Sequence, residues 1–137
     1  MEHIMQDTHY TNLIIGFGKA GKTLAGFLAK KGESVALVER SKERYGGTCI
    51  PSKSLEYSAR LSAEIGGDFA AKAERYRAAI AEKRRLTAML REKNYAKVTG
   101  TGAVVIDGEA HFVDAHTVSV TTADGEQRIT AERIFIN

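Results

Sequence analysis

A glycine-rich turn between two apolar segments constrains this chain more than any other feature. The segment Leu13-Ile14-Ile15 leads into Gly16-Phe17-Gly18-Lys19-Ala20-Gly21, which has the spacing GxGxxG. A helical pattern follows from Lys22 to Lys31, and a second apolar run from Ser34 to Val38 is closed by Glu39. A strand, a tight turn, a helix and a second buried strand in this order predict a βαβ unit with parallel strands.

At each of the three positions of the turn, a physical reason favours glycine over other residues. Gly16 permits a sharp turn after the strand, Gly18 has no side chain to hold a pyrophosphate away from the backbone, and Gly21 lets helix and strand pack closely. The free N–H groups and positive dipole end of the helix favour phosphates. An acid about 20 residues past the glycines is placed to accept a hydrogen bond from a ribose 2′-OH and to repel an NADP-type phosphate. The predicted dinucleotide site comprises Gly16, Gly18, Lys19, Ala20, Gly21 and Glu39.

Length, charge and cysteine content limit the class of protein. The 137 residues are enough for one domain, and the net charge of +3 is spread over interspersed charges of both signs. This balance argues against nucleic acid or a membrane surface as the main partner. The single cysteine excludes a disulfide framework within the chain and indicates a reducing, cytoplasmic setting. The first eleven residues are polar and lack periodicity, so we expect a start that is disordered or introduced by cloning, with the domain spanning residues 12–137.

A second informative stretch follows the βαβ unit. Gly46-Gly47-Thr48-Cys49 precedes Ile50-Pro51-Ser52-Lys53. Together with residues Ile14 to Glu39, these motifs resemble the FAD-binding start of the flavoprotein pyridine nucleotide-disulfide oxidoreductases, which include dihydrolipoamide dehydrogenase, glutathione reductase and mercuric reductase. The run from Ile14 to Ala25 is especially similar to the branch linked to reactive-chlorine stress. The resemblance extends from about Asn12 to Asn137. It implies an FAD cofactor, NAD(P)H as electron donor, a small-molecule substrate and a homodimer.

By the same resemblance, the roles of several residues can be expected. Cys49 is the catalytic redox thiol, and Lys53 lies near the flavin ring. Gly47 and Thr48 contact the FAD pyrophosphate or ribityl chain. The segment from Gly108 to Phe112 resembles a GxAxF motif whose alanine, here Ala110, meets the adenine through its main chain.

The chain departs from the family at the redox motif. The family pattern has the form GGTCxxxGCxPSK, whereas only Ile50 separates Cys49 from Pro51 here. Cys49 corresponds to the substrate-exchanging cysteine if GGTC anchors the alignment, and to the flavin-facing cysteine if IPSK does. A single thiol cannot cycle as a dithiol does. We therefore expect that the intervening residues, like the rest of the FAD domain and the NAD(P)H-binding and dimerisation domains, are missing from the sequence as given.

The remaining segments predict two helices and a group of short strands. Helical patterns run from Ser54 to Ile65 and from Asp68 to Asn94, and we expect the longer helix to lie across the outside of the sheet. Asp68 is the expected N-cap. Apolar residues recur along the longer helix at a spacing of three to four and predict packing: Phe69, Ala73, Tyr76 and Ile80.

Beyond Tyr95 the period becomes that of strands. Residues 104–106 and 110–113 flank Asp107-Gly108, and residues 117–120 and 127–130 flank Asp124-Gly125, so both pairs predict hairpins in a small antiparallel meander. By resemblance, the last strand returns beside the first. The predicted fold class is α/β: a Rossmann-like FAD-binding domain with a parallel sheet, a βαβ dinucleotide motif and a β-meander.

Two alternative functions remain open. A nicotinamide-binding Rossmann oxidoreductase without flavin explains Gly16 to Glu39 but leaves the GGTC and PSK motifs as coincidence. The second alternative is a truncated, non-catalytic nucleotide-binding module, which would explain why the sequence has no second cysteine. His111 and His116 lack a partner pattern for metal ligation, so no metal site is predicted.

Overall fold

Strands and helices alternate in the first half of the computed structural model, which describes residues 7–137. In chain order the elements are β1 (Asp7–Ile15), α1 (Lys19–Lys30), β2 (Val35–Glu39), a 3₁₀ helix (Lys42–Gly46), α2 (Cys49–Ile65), α3 (Phe69–Thr99), β3 (Val104–Asp107), β4 (Glu109–Phe112), β5 (Thr117–Thr122) and β6 (Gly125–Ile136). The strands form one sheet in the order β3-β2-β1-β6-β5-β4. This architecture confirms the predicted α/β class.

Strand β1 is the centre of the parallel part of the sheet. Ile14 pairs with Leu37 of β2 on one side and with Phe135 of β6 on the other, and both pairings are parallel. The predicted βαβ unit and the return of the last strand beside the first are therefore confirmed. Because neighbouring side chains point to opposite faces, Ile14 belongs to the apolar cluster under the helices and Leu13 to the cluster on the other face.

The antiparallel strands cover the face of the parallel sheet opposite the helices. Strand β6 is twelve residues long, and it pairs antiparallel with β5 and parallel with β1. The inward side chains of the meander, among them Val118, Val120 and Ile129, are fully buried. They pack in one cluster with Leu13 and Ala36 of the parallel strands. The meander thus supplies the apolar surface that a parallel sheet needs on its second face.

The predicted hairpin at Asp107-Gly108 is wrong. Strand β3 pairs parallel with β2, and β4 pairs antiparallel with β5, so the two strands lie at opposite ends of the strand order. Gly108 does not adopt the left-handed backbone that a tight hairpin of this kind requires. A Cβ atom on Gly108 would instead lie 2.7 Å from the Thr121 carbonyl oxygen and from Val120 Cγ1. Gly108 allows the chain to pass closely from the parallel sheet into the meander. The second predicted hairpin, at Asp124-Gly125, is confirmed.

The first strand starts earlier than the sequence predicted. Residues 7–11 belong to β1, and Thr8 pairs with Ile129 of β6. The prediction of a disordered start is therefore wrong for these residues, because the length of β6 offers them a pairing partner. An origin in cloning stays a prediction. The same prediction for residues 1–6 lies outside the described residues.

Both later helices are longer than predicted. Helix α2 starts at Cys49 and α3 runs to Thr99. The predicted N-cap is confirmed, because Asp68 Oδ1 accepts a hydrogen bond of 2.9 Å from the Ala71 N–H. The predicted lie across the sheet holds only near the end of α3, where Val98 is the one buried residue of the helix and joins the cluster under the sheet.

The packing predicted for two aromatic residues of α3 is wrong. The exposed fractions of Phe69 and Tyr76 are 87% and 67%. Both residues lie in the first half of α3, which packs against α2 through contacts such as the 2.9 Å hydrogen bond from Arg75 Nε to Ser62 Oγ.

No helix of the described part of the chain combines the length and apolar character needed to cross a bilayer.

Tyr45 connects the helical layer to the glycine turn. Its ring centroid lies 4.4 Å from that of Phe17 and 5.7 Å from that of Tyr95. Its hydroxyl donates a hydrogen bond to Asp107, and its carbonyl accepts one of 2.7 Å from Asn94 Nδ2. Burial, followed by the hydrogen bond to Asp107, raises the pKa of Tyr45.

We expect Gly108→Ala to lower the free energy of unfolding by about 1–3 kcal/mol, because the added methyl group overlaps backbone and core atoms of β5. Urea denaturation measures this change. Gly26→Ala is the matched control, since its Cβ would meet only Thr101 Cγ2 at 3.6 Å within a helix; there we expect a gain of about 0.5–1 kcal/mol. An equal loss at both positions would contradict the role given to Gly108.

We expect the stability that Tyr45 contributes to depend on pH. Because its pKa is higher in the folded than in the unfolded state, this contribution is complete below the ordinary pKa of 10.0 and is lost as the pH rises above it. Tyr45→Phe should therefore unfold at a lower urea concentration than wild type near neutral pH, with a gap that narrows above about pH 10. Tyr95→Phe, which removes a neighbouring hydroxyl, is the control. A gap for Tyr45→Phe that is independent of pH would show the prediction to be wrong.

Candidate functional site

A crevice opens where the parallel strands end. Gly16 follows β1, Glu39 is the last residue of β2, and Asn137 follows β6, so the parallel pairing brings the three to one edge of the sheet. Ala110 of β4 reaches the same place from the meander. The crevice has a volume of about 270 Å³ and is lined by Ile15, Gly16, Val38, Glu39, Arg40, Arg44, Gly108, Glu109, Ala110 and Asn137.

The glycine turn has the geometry expected of a phosphate-binding turn. Gly16 has a φ of +108°, and its N–H donates to the Val38 carbonyl at 2.8 Å. Helix α1 starts directly after Gly18, without a side-chain cap and without an acidic residue in its first turn. The N–H groups of Lys19, Ala20 and Gly21 precede the first intrahelical donor, since Lys22 N–H bonds the Gly18 carbonyl at 3.0 Å. These donors are available to an anion at the helix start.

Lysine side chains add positive charge at the start of α1. The Lys22 ammonium lies 5.4 Å from the ring centroid of Phe17. Burial lowers the pKa of Lys22, and the nearby charges of Lys97 and Lys19 lower it further. A group of cations whose mutual repulsion lowers a lysine pKa gains stability from a bound anion.

Glu39 is tied to the glycine turn. Its Oε2 accepts a hydrogen bond of 2.9 Å from Phe17 N–H, and its Oε1 accepts one of 3.0 Å from Ser41 N–H. The residue is only 6% exposed. An ionised carboxylate has about four lone-pair sites, so these two bonds leave acceptor capacity for a ribose hydroxyl. The structure therefore gives Glu39 a role that the sequence did not suggest, which is to fasten the turn to β2. The contact of Glu39 with a ribose stays a prediction.

Sequence reasoning missed the cationic side chains of this crevice. Arg40 and Arg44 both line it. Arg40 Nη1 lies 3.6 Å from Glu109 Oε1, and both side chains are exposed. This ion pair joins the end of β2 to the start of β4. A basic residue directly after the acid of a βαβ unit could have signalled it.

The redox segment lies outside the crevice. Gly47, with a φ of +72°, ends the 3₁₀ helix, Thr48 is the N-cap of α2, and the exposed Cys49 is its first residue. Lys53 is exposed one turn further along, and the spacing of four residues puts it on the same helix face as Cys49. Among the predicted site residues, the lining of the crevice unites Gly16, Glu39 and Ala110. It does not include the rest of the glycine turn and the start of α1, nor the redox segment: Gly18, Lys19, Ala20, Gly21, Gly47, Thr48, Cys49 and Lys53. Within residues 7–137, no three His, Cys, Asp or Glu side chains form a group that could hold a metal ion.

We expect Glu39→Gln to destabilise the fold by about 1–3 kcal/mol, because the amide turns an NH₂ group towards a backbone N–H that needs an acceptor. Urea denaturation at neutral pH measures this loss. Glu109→Gln makes the same change at an exposed position of the same crevice and should stay within about 0.5 kcal/mol of wild type. Equal stabilities of the Glu39→Gln variant and wild type would contradict the link between Glu39 and the turn.

Comparison with known proteins identifies relatives over nearly the whole chain. The family model described as pyridine nucleotide-disulphide oxidoreductase matches residues 10–137. The chain is 40% identical over 134 residues to the probable pyridine nucleotide-disulfide oxidoreductase RclA of Escherichia coli, covering 93% of this chain and 28% of RclA. It is 33% identical over 144 residues to a soluble pyridine nucleotide transhydrogenase of Photorhabdus laumondii, covering 96% of this chain and 31% of the transhydrogenase.

A solved structure supports the same assignment. The Cu(II) complex of the HOCl-induced flavoprotein disulfide reductase RclA from E. coli matches with a TM-score of 0.80 at 40% identity, covering 95% of this chain and 28% of that chain. The resemblance to the branch linked to reactive-chlorine stress is thereby confirmed. The chain spans less than a third of the length of these relatives. The matched family model, the identity with RclA and the shared fold show that this chain belongs to the pyridine nucleotide-disulphide oxidoreductase family.

Proposed function

We propose that this chain is the FAD-binding part of a flavoprotein that transfers electrons from NAD(P)H to a small-molecule acceptor. The crevice at the end of the parallel strands carries the proposal, because Gly16 at the start of the glycine turn, Glu39 and Ala110 meet there. The donors present fit an adenosine diphosphate group. The uncapped first turn of α1 offers N–H groups to phosphates, and Glu39 offers a carboxylate to the ribose.

The residues of the chain divide the binding task by position. The backbone at Gly16 and Gly18 and the N–H groups of Lys19, Ala20 and Gly21 would hold the pyrophosphate. The main chain at Ala110 would border the adenine. When bound, FAD supplies two-electron chemistry between a nicotinamide and an acceptor. Gly47, Thr48 and Lys53 would approach the ribityl chain and the flavin ring, and Cys49 would offer its thiol at the start of α2.

The likeness to RclA bears on the choice of acceptor. The RclA structure is named as a Cu(II) complex of an HOCl-induced enzyme. This likeness favours a metal ion or a reactive oxidant over a small disulfide as the acceptor. The family also supports a homodimer, and thiol chemistry driven by NAD(P)H fits the cytoplasm.

Ligand binding tests the proposal. We expect the purified protein to bind FAD with a visible flavin spectrum, and ADP to compete because it fills the same turn. Gly18→Val should weaken both ligands more than about tenfold, which corresponds to about 1.4 kcal/mol. Its backbone, with φ of −68° and ψ of 173°, suits valine, so the loss would come from side-chain bulk, which would also displace the Asn137 carboxamide, 2.7 Å from the added Cβ position.

Two controls separate binding from chemistry. Gly26→Ala, in the interior of α1, should leave FAD affinity unchanged. Cys49→Ser should also retain it, while removing any thiol-dependent reduction of an acceptor. Binding of NAD without any affinity for FAD would favour the flavin-free oxidoreductase, and FAD binding without oxidation of NAD(P)H by any acceptor would favour the non-catalytic module.

A further inference from the structure

Asn137 occupies the space that the three glycines of the turn leave open. A Cβ atom on Gly18 would lie 2.7 Å from Asn137 Nδ2, and one on Gly21 would lie 2.6 Å from the same atom. A Cβ atom on Gly16 would lie 2.4 Å from the Asn137 carbonyl oxygen. A side chain at any of the three positions would therefore overlap Asn137, a residue outside the motif.

The carboxamide of Asn137 is oriented by hydrogen bonds. Its backbone N–H donates to the Ile15 carbonyl at 2.9 Å and continues the pairing of β6 with β1. Its Nδ2 donates to the Gly16 carbonyl at 3.1 Å. A carbonyl oxygen that is held by a donor on one side of the turn is less free to rotate towards a phosphate. Asn137 also lines the crevice itself, beside Gly16 and Glu39.

We propose that Asn137 is a positioning residue for phosphate binding. It holds the Gly16 carbonyl in place, beside the unpaired N–H groups at the start of α1 that would bind the phosphates. This inference deepens the proposed function and depends on it. It assigns to Asn137 an effect on the phosphate groups of the ligand and none on the adenosine.

The substitutions Asn137→Ala and Asn137→Asp test the proposal in the purified protein. Asn137→Ala removes the donor, and we expect ADP and FAD to bind about fivefold more weakly. Asn137→Asp keeps the shape but replaces the donor by an anion beside the Gly16 carbonyl and the pyrophosphate, so the loss should exceed about tenfold at neutral pH. Adenosine, which has no phosphate, should bind all three proteins equally. A merely structural role would weaken adenosine binding as well.

The pH dependence gives a second readout. Protonation of the introduced carboxyl restores a donor, so the ADP affinity of Asn137→Asp should approach that of wild type as the pH falls towards about 4. Asn94→Asp is the matched control. Asn94 Nδ2 also donates to a backbone carbonyl, that of Tyr45 at 2.7 Å, but Asn94 does not line the crevice. Its Asp variant should show no recovery of ADP affinity specific to acid pH.

The outcomes distinguish the two proposals. If wild type binds FAD and ADP and the Asn137 variants bind them equally well, the positioning role is wrong and the proposed function stands. A parallel loss of adenosine affinity would also overturn the positioning role. If wild type binds neither FAD nor ADP, both proposals are wrong.

Discussion

The parallel pairing of β1 with β2 on one side and β6 on the other determines where every feature of the candidate site lies. Three chain segments far apart in sequence end side by side, at Ile15, Glu39 and Ile136. Parallel strands put their carboxyl ends at one edge of the sheet, and ligands of open α/β sheets bind in the crevice there. Without this pairing, the glycine turn would have neither Glu39 on one side nor Asn137 on the other, and no crevice would form.

The glycine turn is held from both neighbouring strands. On the β2 side, the buried Glu39 carboxylate accepts the Phe17 N–H. On the β6 side, Asn137 Nδ2 donates to the Gly16 carbonyl. The two contacts hold the Phe17 N–H towards β2 and the Gly16 carbonyl towards β6. A turn held in this way offers its remaining N–H groups to a ligand with little ordering cost.

The meander and the helices provide rigidity in different ways. The meander shields the second face of the parallel sheet with fully buried side chains such as Val118 and Ile129. Tyr45 joins the helical layer to the turn by stacking on Phe17 and by bonding Asp107. By contrast, the first half of α3 and its partner α2 carry exposed apolar residues such as Tyr57 and Phe69. The well-packed parts of the chain therefore lie beside the crevice, while the start of α2, with the exposed Cys49, lies outside it.

Local patterns in the sequence were sufficient for most elements of the fold and, among the residues that line the crevice, for Gly16 and Glu39. The apolar runs, GxGxxG and the acid at Glu39 specify a βαβ unit, because strand period, turn sterics and helix start are properties of neighbouring residues. The choice of which strands pair, by contrast, could not be read from neighbouring residues. Asp107-Gly108 has the composition of a hairpin, yet tertiary packing separates β3 from β4, and the same periodicity that predicted buried aromatics left Phe69 and Tyr76 exposed.

The sequence by itself determined the class of fold, the family and the position of the glycine turn, since these depend on motifs whose spacing is their signature. Only the tertiary structure decided which residues complete the crevice. Ala110 was expected there from the family motif. Arg40 is marked only by its place directly after Glu39, and Arg44 and Asn137 have no local pattern that marks them. They reach the site because β2 and β6 end beside the turn and β4 begins there. The proximity of chain segments separated by tens of residues is a property of strand pairing that no short segment encodes.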